Sequence, residues 1–241
     1  MFIIDVKHLK FSYKDKKIFD DVNFSVASNI WNSFYGLSRS GKTTLTNILC
    51  GNIKADGYIN INRKYLCDNT ILLVKKEVFL ISKETCGYFA GDSLYSELLL
   101  SGAPKKNIDE YLKLFKLEEY KDLLVNDLPI DKKIIVSILY SFLINSKIIL
   151  LDNVLCYLKN ADKDMIFNLL KGKTVCNFTS NPEELLYSDS VILMNDNFKV
   201  CSVNEISEIK IVDLCLKLKS YDLLDDTYLD MDMVVDKLWK V

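Results

Sequence analysis

Residues Gly36 to Thr43 read G-L-S-R-S-G-K-T, a full match to the phosphate-binding loop pattern G-x-x-x-x-G-K-[ST]. No other stretch of the chain restricts its fold as tightly. The pattern works only where a strand runs into a glycine turn and the turn opens a helix. There the backbone N–H groups and the helix N-terminus converge on an anion. Gly36 and Gly41 leave room for that approach, Lys42 reaches toward the β and γ phosphates, and the Thr43 hydroxyl is placed to ligate Mg²⁺. The chain holds only 8 glycines in 241 residues, and two of them occupy the positions the motif cannot do without.

The flanks supply the required context. Ile30 to Tyr35 is a short β-prone run that ends at Gly36. Thr44 to Cys50 has helical character and stops at Gly51, a helix C-cap signal. Before the loop, 2–6, 9–13 and 22–26 alternate as three strands, and the Lys/Asp cluster between the second and third reads as a turn. After it come short strands at 58–62 and 65–66, then an apolar, strand-like stretch from Ile71 to Ile81. From Ser93 the period becomes helical, over 93–100, 107–115 and 134–144. Lys147 to Asp152 then reads as a buried strand, 162–170 as a helix, and 174–179 and 191–194 as further strands of α/β type. The tail from Ser207 is helical in pattern, notably 212–219 and 233–239. No internal repeat or low-complexity linker interrupts this order.

Composition excludes several classes. Net charge is −2 with a pI near 5.6, and the lysine runs at 14–17 and 75–76 are scattered, so each reads as a solvated face and no nucleic-acid partner is expected. The seven cysteines are odd in number and lack a C-x-x-C pair, which argues for reduced thiols in a cytosolic protein. His8, the single histidine, has no ligand partners nearby in sequence. The longest apolar stretch, 134–144, is about half a membrane span. Met1 to Asp5 lacks the basic start and apolar core of a signal peptide, so neither export nor membrane spanning is expected.

A second motif joins the loop. Ile148 to Leu151 form an apolar strand that ends in Asp152, the position at which phosphate-loop nucleotidases hold Mg²⁺. With these residues in place, the chain resembles the ATP-binding subunits of ABC transporters over nearly its whole length. Tyr13 matches the aromatic that stacks on adenine, and Ile18 to Val26 resembles the strand before the loop. Ser190 to Asp196 resembles the late strand usually read D-R-V-I-V-L-x-D-G. Within that family it is most similar to the ATPases of energy-coupling factor importers, through Tyr88 to Leu98 and the tail from Val212 to Trp239.

The resemblance implies an α/β fold. Its core would be a P-loop NTPase (RecA-like) core, with an N-terminal antiparallel β subdomain, a helical signature subdomain near 93–143 and a short helical C-terminal extension. The ATP-binding domain would span 1–206 and the extension 207–241. It further implies ATP and Mg²⁺ as cofactors. Tyr13 and the loop residues Gly36, Leu37, Ser38, Arg39, Ser40, Gly41, Lys42, Thr43 and Thr44 would hold the nucleotide, and Thr43 and Asp152 the metal. The implied partners are a second ABC ATPase subunit, in a heterodimer, and a transmembrane subunit. The location would be cytoplasmic, peripheral on the inner face of the cell membrane.

The departures from the family pattern are equally specific. Asn153 stands where the catalytic glutamate is expected, and an amide cannot accept a proton from the attacking water. Ser180 stands at the switch histidine, and the glutamine that links Mg²⁺ to the membrane partner aligns near Ser82. Leu128 to Lys132 replaces the L-S-G-G-Q signature, and Cys156 to Lys159 replaces the S-A-L-D turn. Each change touches hydrolysis or dimer closure, whereas the nucleotide-holding positions remain. Two readings follow: an importer subunit with weak or partner-dependent hydrolysis, or a non-hydrolysing sensor or scaffold. A phosphate-loop kinase fits less well, because the resemblance extends far beyond the loop.

Overall fold

A computed structural model of the chain describes residues 1–86, 89–194, 198–207, 209–221, 223–224, 226–229 and 231–239. The opening hairpin pairs β1 (Phe2–Tyr13) with β2 (Lys16–Ala27), antiparallel, across a turn at Lys14 and Asp15. The expected separate strands at 2–6 and 9–13 are thus one strand. Alternation buries Ile4 and Val6, then slips a residue to bury Leu9. His8, with φ 54°, absorbs the slip as a bulge, and the pairing shifts between Val6 and Leu9. The His8 imidazole is exposed and lies 2.7 Å from an Asp21 carboxylate oxygen. The ladder also extends through Lys16 and Lys17, where the sequence pattern suggests a turn, and runs on through Ile18 to Asp21, which the family resemblance reads as strand.

β3 (Trp31–Tyr35) is buried throughout and leads through the glycine loop into α1 (Lys42–Leu49). This helix ends as the sequence indicates. Gly51 adopts φ 69° and donates its N–H to Ile48 O, while Asn52 donates to Asn47 O, the two bonds of a Schellman cap. β4 (Asp56–Ile61) and β5 (Lys64–Tyr65) follow. The apolar stretch from Ile71 to Ile81 is not a single strand. It divides into α2 (Ile71–Lys75) and β6 (Val78–Ser82) at the Lys75-Lys76-Glu77 break, with Leu72 and Leu73 facing solvent and Val74 buried. A short apolar run carries no period that separates the two states.

Then come α3 (Leu94–Leu99), α4 (Lys105–Leu114), α5 (Ile130–Leu143), β7 (Ile148–Asp152), α6 (Asn160–Leu170), β8 (Thr174–Thr179), β9 (Ser190–Leu193), β10 (Lys199–Cys201), α7 (Lys210–Ser220) and α8 (Met231–Leu238). α3 starts on a reciprocal Ser93–Ser96 capping box. Tyr88, Asn195 and Asp196, which enter the sequence comparison above, lie outside the described residues.

Two sheets result. The smaller runs β2-β1-β4-β5 and is antiparallel; the larger runs β10-β9-β3-β8-β7-β6 and is parallel apart from β10. The strand leading into the loop therefore lies inside the parallel sheet, between β8 and β9. One core lies between the sheets, where Leu45, Ile48 and Leu49 of α1 meet Ile4, Phe24, Leu150 and Phe178. Phe34 and Phe178 stack there at 4.4 Å. A second core lies on the other face of the large sheet, where α3 to α6 cover Ile81, Ile149, Leu151 and Val175. α1 is thus held from both sides, and its N-terminus stays at the sheet edge. All seven cysteines are free thiols. No helix among the described residues is long and apolar enough to cross a membrane.

Candidate functional site

Parallel pairing brings the carboxyl ends of β3, β6, β7 and β8 to one edge. Register aligns Tyr35 with Thr179, Asp152 with Phe178, and Ser82 with Asp152. The residues that leave those strand ends must therefore meet at a crevice, where open α/β sheets take their ligands. A cavity of about 370 Å³ lies there, lined by Lys16, Ile18, Ser38, Arg39, Gly41, Lys42, Thr43, Thr44, Asp152, Asn153 and Ser180. Loop, Mg²⁺-side carboxylate and the two substituted catalytic positions thus share one space.

The loop is closed on its own lysine. Lys42 Nζ donates to Gly36 O at 2.6 Å and Leu37 O at 2.9 Å, and lies 3.5 Å from Ser40 Oγ. Burial pulls this ammonium below its ordinary pKa, and the nearby Asp152 charge opposes that shift. Gly41, at φ 93°, makes the turn into α1, and its carbonyl accepts the Leu45 N–H at 2.8 Å. A Cβ there would stand 2.9 Å from Phe19 Cζ, so β2 of the small sheet packs directly against the loop.

Asp152 is buried at the end of β7. Thr46 donates its hydroxyl to Oδ2 at 3.4 Å, whereas Oδ1 is buried with no hydrogen-bond partner. Burial raises the Asp152 pKa, aided by the charge of Glu84, while Thr43, Thr46 and Lys42 counter it. A buried carboxylate oxygen without a donor, next to the Thr43 hydroxyl, is a hard-oxygen set that suits Mg²⁺. That ion takes only one or two protein ligands alongside phosphate oxygens. The residues present fit it.

Asn153 adopts φ 53°, a left-handed conformation that asparagine tolerates better than most residues. Its N–H donates to Phe178 O at 2.8 Å, and its carbonyl accepts the Cys156 thiol at 3.1 Å. Ser180 is exposed and lines the same cavity. With an amide and a hydroxyl at these two positions, Asp152 is the one carboxylate among the described lining residues, and its partnerless Oδ1 suits a cation.

Not every expected residue gathers here. Tyr13 does not line the cavity. It stands half-exposed at the end of β1, edge-on to Phe11 at 4.8 Å, and pairs across the hairpin with Lys16, which does line it. Gly36 and Leu37 contribute through the carbonyls that hold Lys42, and Ser40 borders a neighbouring cavity of about 510 Å³. Ser82 sits beside Asp152 in the sheet and forms a turn with Thr85, its N–H donating to Thr85 Oγ1 at 2.8 Å. Leu128 to Lys132 lies where the chain enters α5, away from the cavity lining, with Asp131 in the first helical turn. Lys16 and Ile18 are additions that sequence reasoning misses. The lysine run reads as solvated, and only the extension of β2 turns Lys16 into the cavity wall.

The family model described as ABC transporter matches residues 19–155, more than half of the chain. An energy-coupling factor transporter ATP-binding protein of Fusobacterium nucleatum is 27% identical over 214 residues, covering 80% of this chain and 79% of its own. The corresponding protein of Pediococcus pentosaceus is 28% identical over 212 residues, covering 80% and 76%. Among solved structures, a Clostridium perfringens protein described as part of an ABC transporter complex superposes with a TM-score of 0.73 at 20% identity, over 91% of this chain and 97% of that one. A dimeric ATP-binding cassette with ADP and phosphate bound gives a TM-score of 0.70 at 21% identity, over 83% and 98%.

Proposed function

This chain belongs to the ABC transporter family, and on that premise we propose that it is the ATP-binding subunit of an energy-coupling-factor-type membrane importer, one that binds MgATP and hydrolyses it weakly or only with a more complete partner. The observation that carries this reading is the composition of one cavity. Lys42, Thr43 and Asp152 equip it to hold a nucleoside triphosphate and its metal, while Asn153 and Ser180 line it where a base and a switch residue would act.

Each residue has a part in that reading. When nucleotide arrives, Lys42 exchanges its bonds to the Gly36 and Leu37 carbonyls for phosphate oxygens, and the loop N–H groups and the N-terminus of α1 face the same anion. Bound Mg²⁺ would be held by Thr43 and Asp152 and would neutralise charge on the β and γ phosphates. Ile18 lines the hairpin end of the site, and the base would lie on that side, beyond which Tyr13 stands outside the cavity lining. Among the described cavity residues none is placed as a general base, since Asn153 is an amide and Asp152 would be engaged in holding Mg²⁺. ATP then serves chiefly as a closing ligand that shifts a dimer from open to closed.

Residues 1–206 form the ATP-binding domain in this account, with 93–143 as its helical arm and 207–241 as a C-terminal extension. The partners are a second ATPase subunit and a transmembrane subunit, and the chain sits at the cytoplasmic face of the membrane. Affinity purification from solubilised membranes tests this. The expected result is co-purification of a membrane-spanning protein and an ATPase with an intact signature and glutamate. Recovery of the chain alone, with nucleotide bound, would favour the sensor or scaffold reading, which the same cavity would serve.

A further inference from the structure

We propose that the Arg39 guanidinium is an anchor for the polyphosphate of the bound nucleotide, a charged contact supplied from within this chain in addition to Lys42. This rests on the nucleotide-binding reading above and extends it to a side chain that the phosphate-loop pattern does not require. That pattern fixes Gly36, Gly41, Lys42 and Thr43 and leaves Arg39's position open.

Three observations converge on this residue. Its backbone is left-handed, at φ 69°, where glycine is at ease and a long side chain is held at a conformational cost. Strain kept at a binding loop is a pointer to a role for the side chain. Arg39 is also exposed, and among the described residues no hydrogen bond or ion pair is found for its side chain. Finally, it lines both cavities, standing with Lys16 and Lys42 in one and beside Lys17, Phe19 and Ser40 in the other. In the second cavity Lys17 pairs with Asp20 at 2.8 Å, which leaves Arg39 as the cation without an ion-pair partner among the described residues. The first cavity sets Lys16, Arg39 and Lys42 against the single carboxylate of Asp152. That balance suits a polyanion better than a monoanion. A guanidinium also offers two parallel N–H donors in a rigid fork matched to phosphate oxygens, a fixed geometry that an ammonium lacks.

Calorimetric titration of the full chain with ATP, ADP and AMP, at fixed salt and with Mg²⁺ present, tests the assignment in R39G, R39Q and R39K. A lost charge-assisted contact weakens ATP binding by about tenfold or more in R39G and R39Q, while AMP binding stays within about twofold. R39K keeps part of the ATP affinity. Free R39G melts no lower than wild type, because release of the left-handed strain offsets the freedom glycine adds to the unfolded chain. Two results would overturn the proposal: ATP affinity unchanged in both R39G and R39Q, or ATP and AMP weakened in equal proportion. If wild type bound no ATP and K42A were indistinguishable from it, the nucleotide reading itself would fail, and the Arg39 assignment with it.

Discussion

Restoring a glutamate at position 153 separates a missing base from a site rebuilt around its absence. Asn153 holds φ 53° while its N–H is fixed on Phe178 O at 2.8 Å, so the strand end cannot easily relax to another conformation. Left-handed backbone costs an ordinary residue roughly 1–2 kcal/mol, and asparagine is partly exempt. Asn153→Glu therefore forfeits about 1 kcal/mol of stability, which for a chain of this size lowers the melting temperature by about 2–4 °C. The introduced carboxylate also shares its cavity with Asp152, whose pKa burial already raises. A working general base contributes about 10²–10⁴-fold. Yet Leu128 to Lys132 still presents Asp131 rather than glycine at the entry to α5, so in the proposed dimer the altered signature would still limit closure. Differential scanning fluorimetry should show the drop in melting temperature, and phosphate release by the purified variant should rise less than about tenfold. An unchanged melting temperature, or a gain of about a hundredfold or more in the variant alone, would refute this reasoning, since the glutamate would then be both unstrained and sufficient.

Two further outcomes follow from the geometry. The Glu77 pKa is held below the usual 4.5, first by the hydrogen bond from Lys64 at 2.5 Å and then by Asn62, against the effect of burial. Because the folded value is the lower one, its contribution is complete above the ordinary carboxylate pKa and is lost as pH falls through the folded value. E77Q should accordingly flatten the acid side of the stability curve below about pH 4.5 in urea melts, and should leave its shape at neutral pH unchanged. Gly41→Ala combines left-handed strain with contacts at 2.9 Å to Phe19 Cζ and 3.0 Å to Ile18 Cγ2, costing about 2–4 kcal/mol. Gly102→Ala, also left-handed but with nothing within 4 Å of the added carbon, should cost only the conformational part, and equal losses of melting temperature in the two variants would contradict the close packing of β2 on the loop.

The site was legible in the sequence wherever chemistry demanded a fixed local order. Gly36 to Thr43 and the apolar strand ending in Asp152 are such patterns, and parallel pairing then obliges them to meet. The flanking strand and helix were readable for the same reason, down to Gly51 as the cap of α1. Readings failed where a period was too short or was interrupted. The bulge at His8 broke the alternation of β1 into two apparent strands, and the break at Lys75 to Glu77 hid a helix–strand junction inside one apolar stretch. Lys16 and Ile18 were missed at the site because a lysine-rich turn carries no sign of which residue the hairpin will direct inward. Tyr13 shows the reverse case: its place in the chain suits a base-stacking role, but its ring stands outside the cavity lining, against Phe11.

The central claim is that this chain holds ATP without the means to turn it over alone. ATP titration of the purified protein and of Lys42→Ala, with phosphate release followed in the same samples, tests it most directly. The account predicts saturable binding by wild type, loss of that binding in Lys42→Ala, and phosphate release near background in both. Brisk turnover by the wild-type chain without any partner would contradict it.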